Sequence, residues 1–120
     1  MKEALKNRTK RFASDCWHLC TKFPISREYN AFCNQLIRCS SSVGANYRAA
    51  CRAKSTADFI NKLKIVEEAA ADESMYFLEL LIEVSDKEHT EMKRLHREAN
   101  ELLSIVVASI KTMRNRKSKS

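Results

Sequence analysis

Residues 40–81 read SSSVGANYRAACRAKSTADFINKLKIVEEAAADESMYFLELL. Val43 and Tyr47 keep a helical spacing that runs to about Ala53. Ser55 with Asp58 three residues on makes a capping-box-like start, and Phe59, Leu63, Val66, Ala70, Phe77 and Leu81 then trace a second apolar stripe. Two helices joined by so short a connection must fold back on one another.

The pattern continues on both sides. Upstream, Leu5, Phe12, Cys16, Leu19 and Phe23 share one face of a helix from about Lys2 to Lys22 that Pro24 ends. Ser26 then caps a helix carrying Tyr29, Phe32, Cys33 and Leu36. Downstream, Ser85 with Glu88 repeats the cap signal, and Met92, Leu95, Ala99, Leu102, Val106, Ile110 and Met113 mark a last helix. The expectation is an all-α, antiparallel up-down-up-down four-helix bundle over residues 1–113, followed by a basic, disordered tail over 114–120. Gly44 inside a helix costs about 1 kcal/mol relative to Ala. Such a cost signals close backbone approach by the Ser40 and Gly44 turn, with Ala69 to Ala71 as the expected facing patch.

Composition supports the helical reading. One Gly and one Pro in 120 residues leave no turn chemistry for hairpins, and no run approaches the roughly 18 apolar residues of a membrane span. Cys16, Cys20, Cys33, Cys39 and Cys51 are odd in number and lack a C-x-x-C spacing, which reads as reduced thiols in a cytoplasmic protein. Glu-x-x-His, the mark of a di-iron bundle, does not occur; the nearest forms are Asp15 with His18 and Asp86 with His89, and His96 stands apart. No serine or cysteine has a sequence-evident base, and no glycine-rich loop is present. The expectation is a protein with no enzymatic activity, metal or cofactor.

The net charge of +7 is segregated. Residues 1–54 hold 11 basic and 3 acidic side chains, net +8; residues 55–110 hold 6 and 12, net −6; residues 111–120 hold 5 and none, net +5. Lys2, Lys6, Arg8, Lys10 and Arg11 at one terminus and Lys111, Arg114, Arg116, Lys117 and Lys119 at the other meet at one end of an up-down-up-down bundle. They are the candidate phosphate contacts to RNA or DNA; the alternative is that they only solubilise the termini. No aromatic residue interleaves with either run.

Helical-wheel positions supply further candidates. Arg38, Arg48 and Arg52 lie opposite the apolar stripe of the second helix, and Glu68, Asp72, Glu79 and Glu83 form an acidic ridge on the third. The two ridges either face solvent or pair between subunits. Trp17, well off its helix's stripe, is assigned to a subunit contact. Glu73 falls within the stripe, so it is expected to be a buried carboxylate with Tyr47, Asn46 or an arginine as hydrogen-bond donors.

Ser42-Val43-Gly44-Ala45-Asn46, then Ala53, Ser55, Asp58-Phe59-Ile60 and Lys62-Leu63, then Glu73-Ser74, Tyr76-Phe77-Leu78 and Leu80-Leu81 resemble the signature of a bacterial family. Its members are small four-helix-bundle proteins first noticed as reading frames in intervening sequences of 23S ribosomal RNA genes. The resemblance implies a homopentameric ring. Through the related accessory proteins of diversity-generating retroelements it also implies binding to nucleic acid and to a protein partner. The sequence departs from that pattern at Ala49 and Ala70, where family members often carry glutamates. The expected function is a non-enzymatic homo-oligomeric scaffold that binds RNA or DNA non-specifically, or else a module that docks a partner protein.

Overall fold

The computed structural model describes residues 2–119, and the side chains of residues 2–70 and 72–116. Its elements are α1 (Lys2–Cys20), α2 (Arg27–Cys51), α3 (Thr56–Glu67), a π-helical segment (Glu68–Met75), α4 (Tyr76–Val84) and α5 (His89–Lys119). Among the described residues all regular structure is helical. No helix is long and apolar enough to cross a membrane.

Cross-helix contacts give the register. Arg8 meets Glu98 and Glu101, Asp15 meets Arg94, and Lys22 meets Glu88, so the sequence rises along α1 as it falls along α5. Phe32 meets Phe77 and Arg38 meets Glu73, which sets α2 antiparallel to the rod formed by α3, the π-segment and α4. That rod keeps helical backbone through both of its junctions and forms one side of an up-down-up-down bundle. Two sequence-expected caps are present: Ser26 Oγ accepts from Tyr29 N–H and Ser55 Oγ accepts from Asp58 N–H, each at 3.1 Å. The third is not formed. Ser85 Oγ closes a tight turn on Lys87 N–H instead, and Glu88 takes a left-handed conformation, φ 61°, to launch α5.

The core is one cluster built around Phe12, Leu36, Leu63, Leu81 and Leu95, all essentially inaccessible to solvent. Gly44 packs on α1, not on Ala69 to Ala71 as expected. A Cβ on it would lie 3.2 Å from Thr9 Oγ1, which is itself buried and hydrogen-bonded to Lys6 O at 3.0 Å. Ser40, one turn along, is buried beside the Cys16 thiol, so the small Ser40 and Gly44 stripe is where α1 approaches α2.

The π-segment corrects the reading of the third helix. Each π turn takes up about one residue more than an α turn, hydrogen-bonding i to i+5, and Ser74 Oγ follows that spacing onto Ala69 O at 2.7 Å. The buried stripe therefore advances from Ala70 to Ser74 and Leu78, where uninterrupted 3.6-residue spacing points to Glu73 and Phe77. Glu73 is 40% exposed, not buried, and pairs with Arg38 Nη2 at 3.3 Å. Asn46 donates to Ser42 O and Oγ, while Tyr47 is buried beside Cys51. Desolvation, helped by the neighbouring Cys51 thiol, pushes the Tyr47 phenol above its ordinary pKa. Of the donors expected for Glu73, an arginine is the one that meets it, across to α2, while Tyr47 and Asn46 make separate contacts within their own helix. The tail also differs from expectation, because helical backbone continues through 114–119, a run with no Gly or Pro to break it.

Two expectations follow. Gly44→Leu should destabilise the protein by about 1–3 kcal/mol through overpacking, whereas Gly44→Ala in a Thr9→Ala background should stabilise it by about 1 kcal/mol. Chemical denaturation of wild type, Gly44→Leu, Thr9→Ala and the Thr9→Ala/Gly44→Ala double variant measures both, and a neutral Gly44→Leu would contradict the close α1–α2 contact. Cys16, Cys33 and Cys39 are buried while Cys20 and Cys51 are partly accessible, and burial pushes the Cys16 thiol up to about 12. An aromatic disulfide reagent at pH 8 should label at most two thiols quickly in the native protein and all five after unfolding.

Candidate nucleic-acid interface

Antiparallel register converts segregation along the sequence into polarity along the molecule. The starts of α1 and α3 lie beside the ends of α2 and α5, which brings Lys2, Lys54 and Arg116 to one groove. Arg48 in the last turn of α2 and Arg52 just beyond it are at the same end, as are Lys111 and Arg114 of α5, which line a smaller hollow with Lys64 and Glu67; all four are exposed. The molecule measures 54 × 22 × 20 Å, and this basic pole sits at one end of the long axis. The opposite end mixes signs, with Asp15 and Glu91 on Arg94 and Glu88 on Lys22. There the Arg94 guanidinium, hydrogen-bonded to Glu91, holds that carboxyl below its ordinary pKa.

The cations singled out in the sequence are not equivalent. Arg8 gives both prongs of its fork to Glu98, at 2.7 Å each, and adds Glu101 at 3.0 Å. The hydrogen bond to Glu98 chiefly raises the Arg8 pKa, and two carboxylates around one guanidinium leave that spot net negative. Its fork is occupied. Lys6 makes an exposed pair with Glu3 at 3.3 Å, a contact of a few tenths of a kcal/mol that a phosphate can displace. Lys2 holds its ammonium 5.9 Å from the Phe59 ring centre. Lys10 and Arg11 are exposed on the third turn of α1, and Lys111, Arg114 and Arg116 are exposed on α5. The side chains of Lys117 and Lys119 lie outside the described residues.

Among the subunit-contact candidates, Trp17 is 52% exposed and packs edge-on against His18. Arg48, Arg52, Glu68 and Asp72 are exposed. Arg38 bonds Gln35 and Glu73, and Glu79 bonds His96 at 2.8 Å, so both ridges are partly spent on contacts within the chain. Among the described residues no cluster of His, Cys, Asp or Glu could hold a metal ion.

The feature that sequence reading missed is the groove itself, of about 1000 Å³. Extending the register of α1 against α5 puts Lys2 level with residues near 105–108. Among the described residues, α1 therefore stops about three turns short of the end of α5. The groove lies between the first turns of α1, the end of α2, the start of α3 and the last turns of α5: Leu5, Phe59, Ile105 and Met113 belong to its apolar lining, and Lys2, Lys54 and Arg116 to its rim. Spacing alone puts Phe59 in the core, but Ile60 takes the core position and Phe59 turns partly into the groove. Its nearness in sequence to Lys54 was the one available signal.

The sequence matches the family described as 23S rRNA-intervening sequence protein over residues 2–108. Among solved structures the chain is similar to a protein of unknown function from the S23 ribosomal protein family of Bacteroides thetaiotaomicron. The two share 30% identity over 92% of this chain and 99% of that chain, with a TM-score of 0.83. None of the curated proteins matches the sequence.

Arg8→Gln should cost about 1 kcal/mol of stability by thermal unfolding, because it strands two carboxylates. It should leave affinity for a polyanion such as heparin within about twofold. A loss of affinity as large as that of Lys54→Ala would return Arg8 to the binding set.

Proposed function

The chain belongs to the family of 23S rRNA-intervening sequence proteins, and from that premise and the basic pole we propose a non-enzymatic, homo-oligomeric helical scaffold that binds RNA or DNA through phosphate contacts. The observation that carries this reading is the convergence of Lys2, Arg48, Arg52, Lys54, Lys111 and Arg116 from three helices on one end of the molecule. Among the described residues, acidic side chains from elsewhere in the chain do not neutralise them there as Glu98 and Glu101 neutralise Arg8. Contacts of this kind read charge and not sequence, and their affinity falls steeply with salt.

Assembly would strengthen them. Trp17 projects from α1, while Ile65 and Tyr76 are exposed on the rod of α3, the π-segment and α4. Among the described residues, the backbones of α1 and of the α3 and α4 rod do not come within 8 Å of one another between Cα atoms, so these apolar groups occupy different sides. Two unlike faces suit a head-to-tail contact, which closes into a ring when the rotation permits. The family resemblance implies a pentamer, and five basic poles in one ring would gain avidity from individually weak contacts.

A second reading, a ring that docks a partner protein without nucleic acid, is favoured by the 52% exposure of Trp17. Light scattering on nuclease-treated protein, with and without RNA or DNA at low and moderate salt, separates the two. The scaffold should show a ring mass that grows with nucleic acid only at low salt. Replacing Arg114, Arg116, Lys117 and Lys119 with Ser should weaken binding and flatten the salt slope by roughly 0.7–0.9 for each phosphate that no longer meets a cation. Trp17→Ala should shift the mass towards the monomer. A ring indifferent to nucleic acid would favour the docking module, and a monomeric wild type would end both.

A further inference from the structure

We propose that the groove at the basic pole holds an unpaired base of a single-stranded RNA or DNA, with the flanking phosphates on Lys2, Lys54 and Arg116. This deepens the phosphate-binding reading and rests on it.

The groove's volume of about 1000 Å³ lies at the upper end of the range for sites that enclose small planar or apolar groups. Two aromatic residues line the groove: Tyr47 is buried, while Phe59 is only partly buried beside the core. The Lys2 ammonium stands 5.9 Å from the Phe59 ring centre, and that space opens into the groove. A cation over a partly exposed ring is a weak contact. A base could take its place on the ring while the ammonium moved to the adjoining phosphate.

Charge complementarity selects the occupant. Three exposed cations surround an apolar floor, which fits a ligand with a flat apolar face beside negative charge. Ser109 and Thr112 add hydroxyls that can meet the polar edge of a base. A duplex offers the charge but not the face, because its bases are stacked and paired. An unpaired strand offers both, and base stacking on aromatic side chains tolerates any sequence. Phe59 and Lys2 are 57 positions apart in the chain. That distance explains why no interleaving of aromatic and basic residues is visible in either terminal run.

The test compares a 12-nucleotide single strand carrying 2-aminopurine with the duplex of the same sequence, as DNA and as RNA, at two salt concentrations. Wild type should favour the single strand and change the 2-aminopurine fluorescence on binding. Phe59→Leu keeps an apolar side chain but removes the ring, and should weaken single-strand binding about tenfold with duplex affinity and salt slope unchanged. Ala108→Leu fills the groove from the exposed side of α5 and should do the same, so the test survives if Phe59→Leu unfolds. Equal affinity for single strand and duplex, unaltered by either variant, would overturn the base site while leaving the phosphate-binding reading intact. Failure to bind either nucleic acid at low salt would overturn both. A change in oligomeric mass with Ala108→Leu would assign the groove to a second copy of the chain and overturn the base site.

Discussion

The close approach of α1 to α2 is the contact on which the rest of the molecule depends. Gly44 lets the backbone around Thr9 come near enough that even a methyl group would press on the threonine hydroxyl. That contact fixes the height of α1 along α2, and the ion pairs from Arg8, Asp15 and Lys22 then fix its height along α5. The position of Lys2 follows from this register. So does the groove beside it, where the first turns of α1, the end of α2 and the start of α3 meet the last turns of α5. Packing density makes such a register discrete. Shifting α1 by one residue would set a larger side chain against Thr9 and separate every ion pair at once.

The π-segment at Glu68–Met75 has a different consequence. By taking up an extra residue it turns Ser74 and Leu78 inwards and Glu73 outwards. A small hydroxyl that can bond the backbone of its own turn replaces a carboxylate that would have needed donors in the core. Glu73 is released to meet Arg38 on α2, and Ser74 lies beside Cys39 there. The polar groups of this stretch are therefore satisfied by near neighbours, and no buried charge has to be compensated. The same shift spares the bundle a titratable group in its interior.

Electrostatics and shape coincide at one pole for a topological reason. The basic segments lie at the two termini and at the end of α2, and an up-down-up-down path brings those three places together. Arg8 illustrates how local pairing edits that pattern. It belongs to the same basic run as Lys6 and Lys10, yet the carboxylates of Glu98 and Glu101 occupy it. Lys2 and Lys54 face open groove instead. A count of positive residues would treat all of these alike, although their availability to a phosphate differs.

By itself the sequence determined the helices, most of their caps, the antiparallel order, the membership of the core outside the π-segment and the segregation of charge. All of these rest on spacing within one helix or on residues close together in the chain. The exposure of Trp17 was legible in the same way, because a residue off its helix's stripe has nowhere to go but the surface. Tertiary structure decided what depends on distance between helices: which face Gly44 packs against, where the stripe shifts phase, which arginine is already paired, and that Phe59 stands beside Lys2. A π turn has no strong sequence signature, since Ala69 to Ala71 suit an α-helix equally well. A groove has none at all, because it is the space left between parts of the chain far apart in sequence, and only the packed arrangement brings those parts together.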